Sequence, residues 1–429
     1  MTTIETRSKI RRRDDCRLCG STALELVLQL TPTPLGDSYF PIEQANKTNE
    51  TFPIDLFVCD DCGYAHLRDV VDPDEIYPEY IYLSESSPGL RQHFSRYATD
   101  AVGVTGLNAG ELAVDIGSND GMLLKAIKNC GLRVVGIDPA KAISTRATEE
   151  GVPTIAGYFS PTIAASILHE HGEASLITAN NVFANLDDLE SVMRGVSKLL
   201  APDGVFIVEF AYVGDLIENM VFDYIYHEHL SYFSVTSLRN FFLRMGFEPF
   251  YLQKVPTKGG SIRLYNQKAG GKRRIDGVVA EILCEEELKG LTSPKRFRDF
   301  SKEVDLLRAE SYRIMTNLTK DGRKFAGYGA SVTSTTLIYH FRFGEFLKFL
   351  VDENPAKQGT NSPGLHLPVY SPEKLREPGI NGVLILAWRF AEPILKKLQH
   401  TLATDIPILI PLPKPQLLKC GNEMKIDSL

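Results

Sequence analysis

The densest group of titratable side chains in this chain is Tyr226-His227-Glu228-His229, inside the run Phe222–Phe233. An imidazole beside a carboxylate is the usual arrangement for a general base working near neutral pH. The pattern admits two geometries. If the segment is extended, Tyr226 and Glu228 share one face while His227 and His229 share the other; if it turns, Tyr226 and His229 meet. His-x-His also resembles a pair of metal ligands, but no third His or carboxylate follows at a helical spacing. A buried structural histidine is the alternative for either ring alone.

A second group follows a short apolar run, Leu112-Ala-Val-Asp115-Ile116-Gly117-Ser118-Asn119-Asp120-Gly121. Its Gly-x-x-x-Gly spacing departs from the Gly-x-Gly-x-x-Gly of dinucleotide sites. A pyrophosphate needs backbone pressed against it at a helix N-terminus, and Asp115 and Asp120 would repel it. The same carboxylates suit an amine or a sulfonium. The next run ends Gly136-Ile137-Asp138, where an acidic side chain can accept both hydroxyls of a ribose. Together these features match S-adenosylmethionine, with Asp115, Gly117, Ser118, Asn119, Asp120, Gly121, Asp138 and Asn180 as the expected donor-binding residues. The bland alternative is a plain strand–turn–helix connection.

Four of the seven cysteines form two knuckles, Cys16-Arg-Leu-Cys19-Gly20 and Cys59-Asp-Asp-Cys62-Gly63. Two intervening residues let one tight turn aim both sulfurs at one ion, and the glycine tolerates the positive φ that follows. Four sulfurs close a tetrahedral shell, so the expected ion is a structural Zn²⁺ that supplies folding energy and no chemistry. Paired redox dithiols are the alternative.

The elements that must hold these groups read as α/β. Strand candidates Leu112–Ile116, Arg133–Ile137, Leu176–Thr178 and Val205–Glu209 alternate with helical stretches, the pattern of a doubly wound sheet. Ser293-Pro294 opens a long helix whose Phe297, Phe300, Val304, Leu307, Ile314 and Leu318 form a core stripe. A second α/β unit follows, with strands Lys324–Gly327, Phe349–Asp352 and Val383–Ala387. The expected architecture is a small zinc-binding domain (1–75), a central Rossmann-like methyltransferase domain (76–275) and a C-terminal Rossmann-like domain (276–429).

Composition narrows the class. The 429 residues are 43% apolar and 24% charged, and 47 basic against 54 acidic side chains give a net charge of −7. That balance, with no basic stripe beyond Arg11–Arg13, argues against a nucleic-acid binder. Apolar runs such as Val383–Trp388 are far shorter than the roughly 18 residues of a membrane span. No apolar stretch follows the basic N-terminus, so no secretory signal is read and a cytoplasmic location is expected.

In order along the chain, the two knuckles, Tyr80-Ile-Tyr82-Leu-Ser84, Asp115-Ile-Gly117-Ser-Asn-Asp120-Gly121, Tyr226-His227-Glu228-His229, Gly259-Gly260-Ser261-Ile262-Arg263 and Gly327-Tyr-Gly329-Ala330-Ser331 resemble the sugar 3-C-methyltransferases of deoxysugar biosynthesis. The resemblance covers roughly residues 14 to 415. It implies methylation of a nucleotide-linked 4-keto-6-deoxyhexose by a monomer or small homo-oligomer. It makes His229 the general base, with Tyr226 and Glu228 beside it, and Tyr80, Tyr82, Asn181, Asn185, Arg263, Gly329 and Ser331 substrate-binding. One position departs: the family carries His where this chain has Asn185, an amide that can hold a hydroxyl but cannot titrate near neutral pH.

The second glycine loop, Gly327-Tyr-Gly329, with Asp352 closing the next strand, would alone suggest NAD. Thr333, Ser334, Thr335 and Thr336 at the following helix start could instead hold a sugar nucleotide's pyrophosphate, the use that the resemblance implies. The rivals are an O- or N-methyltransferase and a nicotinamide-dependent oxidoreductase or epimerase.

Overall fold

The computed structural model describes residues 9–44, 50–77, 89–402, 405–419 and 425–426. Around the N-terminal cysteines the strands Leu24–Leu28, Leu56–Cys59 and Ala65–Leu67 pair antiparallel. Ser231–Tyr232, from far along the chain, adds to the Ala65–Leu67 edge. The histidine-bearing run therefore ends as a strand of the cysteine-rich module.

In the central domain, β1 (Leu112–Ile116), β2 (Arg133–Asp138), β3 (Thr154–Ala156), β4 (Ala174–Asn180), β5 (Leu200–Ala211), β6 (Phe247–Val255) and β7 (Ser261–Lys268) make one sheet ordered β3-β2-β1-β4-β5-β7-β6. β1 to β5 run parallel, and β7 and β6 close the edge antiparallel. All five residues of β1 are buried, as expected of a strand covered on both faces. Helix α1 (Leu90–Thr105) packs Phe94, Tyr97, Ala98 and Ala101 on one face of the sheet, against Ala113, Leu176, Ile207 and Tyr265. That is the i, i+3, i+4, i+7 stripe of an amphipathic helix. Strand order reverses between β1 and β4, which opens a crevice at their carboxyl ends.

Helix α2 (Pro294–Thr319) buries Phe297, Phe300, Val304, Ile314 and Met315, while Leu307 and Leu318 are only half-buried. Ser293 occupies its cap position without a side-chain bond. Beyond it β8 (Phe325–Tyr328), β9 (Leu347–Val351), β10 (Gly382–Ile385) and β11 (Pro407–Ile410) build a second sheet with parallel core β11-β10-β8-β9, and helix α3 (Val332–His340) follows β8. Its far edge is completed by Phe40–Pro41, which pairs with Thr360–Asn361. Strand pairing thus crosses the expected boundaries at 75 and 275, and the N-terminal module is tied into both larger units. Among the described residues, no helix is long and apolar enough to cross a membrane.

Candidate active site

The histidine run turns. A 3-10 turn, Phe222–Tyr224, leads into a bend in which the His229 N–H donates to the Tyr226 carbonyl at 3.0 Å. The turn brings the Tyr226 and His229 rings together, with centroids 4.2 Å apart and planes tilted by 34°. Tyr226 Oη lies 3.0 Å from His229 Nε2, and Nδ1 of the same ring lies 3.3 Å from the Tyr224 carbonyl oxygen. A carbonyl can only accept, so Nδ1 carries the hydrogen and Nε2 is the lone pair that the tyrosine hydroxyl meets. Burial, with a smaller contribution from the Lys258 charge, pushes His229 down to about 3, so the ring is neutral at pH 7. His227 points elsewhere. Its Nε2 lies 3.2 Å from the Phe52 carbonyl and its ring packs edge-on to Phe52, so it anchors the run to the N-terminal module.

His229 lines a narrow cleft together with Asn181, Ala184, Tyr224, Ser231 and Tyr232. Asn181 holds a left-handed conformation (φ 53°), with its N–H on the Glu209 carbonyl at 2.8 Å. Asn185 Nδ2 donates to Tyr77 Oη at 3.3 Å, and its Oδ1 is buried with no protein partner. Burial, and then the Glu228 charge, raise the Tyr77 phenol.

The donor loop adjoins this cleft through Asn180, the residue before Asn181. Asp115 Oδ1 accepts from Thr178 Oγ1 at 2.6 Å and from Asn180 Nδ2 at 3.2 Å. Burial pushes the Asp115 carboxyl up to about 7. Asp138 accepts from the Asn119 N–H and the Ala140 N–H, both at 2.9 Å, which fixes its carboxylate across the mouth of the β1 loop. Asp120 accepts from the Met122 N–H and so caps the helix opening there. Gly117 has φ 73°, and a Cβ on it would meet a Val182 methyl at 2.7 Å, so only glycine fits. Ser118 Oγ and Asn180 Oδ1 are buried without protein partners. A loop offering carboxylates and vacant polar atoms, with no lysine or arginine from Asp115 to Gly121, fits the amine, sulfonium and ribose of S-adenosylmethionine.

The four knuckle cysteines converge. Their sulfurs all lie within 4.8 Å of one another, with Cys16–Cys62 at 3.6 Å and Cys19–Cys59 at 3.5 Å. Zinc–sulfur bonds of about 2.3 Å in a tetrahedron require sulfurs about 3.8 Å apart, so the cluster fits Zn²⁺. Four thiolates leave no open position, and the ion is structural.

Several expectations need correction. Tyr80 and Tyr82 lie outside the described residues. Both ring nitrogens of His229 are engaged by Tyr224 and Tyr226. Arg263 is 2% exposed and does not reach the cleft. Its Nε donates to Glu209 at 2.9 Å and its guanidinium lies 3.7 Å over the Tyr97 ring. The cause is register: Arg263 and Glu209 are direct cross-strand partners on one face of the sheet. His93 Nε2 completes that buried group, 2.9 Å from the other Glu209 oxygen.

At the second loop, Gly329 (φ 112°) passes close to Ala387, and Ser331 caps α3 through the Ser334 N–H. The threonines are used in packing, not offered to a phosphate. Thr335 Oγ1 donates to the Gly36 carbonyl and Thr336 Oγ1 to the Ile225 carbonyl, each at 3.1 Å. Sequence reading also missed Arg389, whose guanidinium donates to buried Asp223 and to Thr333 and lies 5.5 Å over the Tyr224 ring. Nothing in its local sequence signals a pairing that spans 166 residues.

Comparison with known proteins adds an independent line. Residues 16–77 match a family model described as "Putative zinc binding domain", residues 91–252 a "Methyltransferase domain" and residues 256–413 a "C-methyltransferase C-terminal domain". The chain is 33% identical over 416 residues to C-methyltransferase NovU of Streptomyces niveus, covering 97% of this chain and 99% of that protein. Solved structures with local likeness include YcgJ from Bacillus subtilis (15% identity, 42% of this chain, 100% of that one, TM-score 0.34). Magnesium protoporphyrin IX methyltransferase from Synechocystis PCC 6803 with bound SAM is another (14% identity, 42% and 80% coverage, TM-score 0.32).

Proposed function

The chain belongs to the family of S-adenosylmethionine-dependent C-methyltransferases, and from that premise we propose that it methylates C3 of a nucleotide-linked 4-keto-6-deoxyhexose. The observation that carries the reading is the Tyr226–His229 pair, whose imidazole lines a cleft that adjoins the donor loop through Asn180 and Asn181. Carbon is a poor nucleophile until a proton leaves it, and a C4 ketone acidifies the C3 proton because the charge spreads into an enolate. S-adenosylmethionine supplies an electrophilic methyl group on a sulfonium.

The residues of this chain do the proton work. His229 is neutral and its Nδ1–H is tied to the Tyr224 carbonyl, so the C3 proton goes to Nε2. Tyr226 exchanges its hydrogen bond with Nε2 for one to the developing C4 oxyanion, a contact of the kind worth roughly 3 kcal/mol in a water-poor site. Asn181, Asn185 and Glu228 face the sugar hydroxyls, with Asn185 Oδ1 available to accept one. Asp115 and Asp138 hold the amine and the ribose of the donor. Residues 1–75, 76–275 and 276–429 act as zinc-binding, donor-binding and nucleotide-binding units, and Gly329 and Ser331 lie on the nucleotide side.

The test is a panel of nucleotide-linked sugars incubated with methyl-labelled S-adenosylmethionine. A product with the label on C3, formed only from 4-keto sugars, supports the reading. Label on oxygen or nitrogen, or turnover of sugars without a 4-ketone, would replace it with the O- or N-methyltransferase alternative.

A further inference from the structure

The segment between β4 and the Leu189–Leu199 helix carries Asn181 and Asn185 and contains only one 3-10 turn, Phe183–Asn185. Phe183 anchors its middle, fully buried against Phe206, Phe233 and Phe242, and the two ends are held separately. The leading end is held by the Asn181 N–H bond to Glu209. The trailing end is gripped by the N-terminal module, through Asp187.

Asp187 Oδ1 accepts from Arg17 Nε at 2.8 Å and from Arg13 Nη1 at 3.2 Å, and its carbonyl also accepts from Arg13. Arg11 pairs with the second carboxylate oxygen. Three guanidinium groups therefore meet one carboxylate. Asp187 is not needed to start the following helix, because Asp188 caps it through the Ser191 N–H at 2.9 Å. Arg17 stands between the zinc ligands Cys16 and Cys19, so the knuckle fixes its backbone. Its side chain is fully buried, with Nη1 against His66 Nδ1 at 2.8 Å and the Leu67 carbonyl. A guanidinium this deep must be paired, and Asp187 is its anionic partner.

We propose that Asp187, held by Arg17 of the zinc knuckle, is a positioning residue that sets the Asn181–Asn185 segment for the substrate. Asp187 touches no reacting atom; it acts through Asn185, two residues away, whose amide spans from Tyr77 to the unpartnered Oδ1. The proposal rests on the reading of Asn185 as sugar-facing, and its test separates the two.

Asp187→Asn keeps the shape and removes the charge. Amide hydrogen exchange of residues 181–186 is expected to quicken about tenfold in this variant, with residues 112–121 unchanged. KM for the 4-keto sugar nucleotide is expected to rise about tenfold, with kcat and the S-adenosylmethionine Kd within about twofold of wild type. Asp187→Glu should recover most of the loss. In an Asn185→Ala background Asp187→Asn should add less than about twofold, because both changes act on one contact. Unchanged exchange in residues 181–186 overturns the positioning role whatever the substrate is. Faster exchange with KM penalties that multiply in full overturns the route through Asn185. Faster exchange in a protein whose wild type accepts no keto sugar leaves the Asp187 clamp standing and removes the sugar reading instead.

Discussion

Tyr226 Oη sits 3.0 Å from Nε2 of His229, and the opposite ring nitrogen is held by a backbone carbonyl, that of Tyr224. This fixes one tautomer of one imidazole at the wall of a cleft and aims its lone pair at a phenol. A histidine kept only for packing needs neither the tautomer nor the phenol.

Replacing His229 by Ala or Asn should lower kcat by about 10² or more, as expected for loss of a general base. Tyr226→Phe should lower it by about 10² through the lost oxyanion contact. Neither change touches the donor loop, so calorimetry should give wild-type affinity for S-adenosylmethionine in both variants. A normal rate in His229→Ala would remove the base assignment.

Donor affinity should depend on pH through Asp115. Its carboxyl is held up at about 7 by burial, so it is mostly protonated at pH 6 and mostly ionised at pH 8. Only the ionised form attracts a cationic amine, so affinity rises with pH. The expected gain is about tenfold from pH 6 to pH 8, reflecting the change in ionised fraction. Asp115→Asn should bind more weakly and lose the pH dependence; a flat wild-type profile would show that Asp115 does not face the charge.

Zinc should be present at one ion per chain by elemental analysis, and Cys59→Ser should release it. Because a structural site contributes folding energy directly, that variant should lose stability on the order of several kcal/mol, seen as a Tm lower by about 5 °C or more. A zinc-free protein of unchanged Tm would contradict the structural role.

Acid should destabilise the fold through its buried histidines. Burial depresses His227 to about 4, His229 to about 3 and His340 to about 4. The folded state resists protonation that the unfolded chain accepts below about 6.5. Stability is therefore full above that pH and falls as pH drops toward about 4, by up to about 1.4 kcal/mol per pH unit for each ring. Denaturant midpoints at pH 7.5 and 5.5 should differ in that direction, and His227→Gln should narrow the gap.

How much of this was legible in the sequence follows from what each feature depends on. β1 was read to the residue because a continuous apolar run bounded by glycine needs no partner to be recognised. The cysteine site was legible for the same reason, since its spacing is local. The Tyr226–His229 contact appeared only as one of two options, because a three-residue separation becomes a contact only if the chain turns. The Tyr224 carbonyl was invisible, since a backbone acceptor has no residue-type signal. Arg263 was misread because its partner Glu209 is set by a strand register 54 residues away. The same holds for Phe40–Pro41, which extends a sheet built mostly from residues beyond 325.

The most direct test of the central claim is solvent deuterium exchange at C3 of a nucleotide-linked 4-keto-6-deoxyhexose with S-adenosylhomocysteine bound. The account predicts exchange at C3 in the wild type and none in His229→Ala, with Tyr226→Phe slowed between the two. Exchange that persists unchanged in His229→Ala, or no exchange in a wild type that still methylates the sugar, would contradict deprotonation by His229.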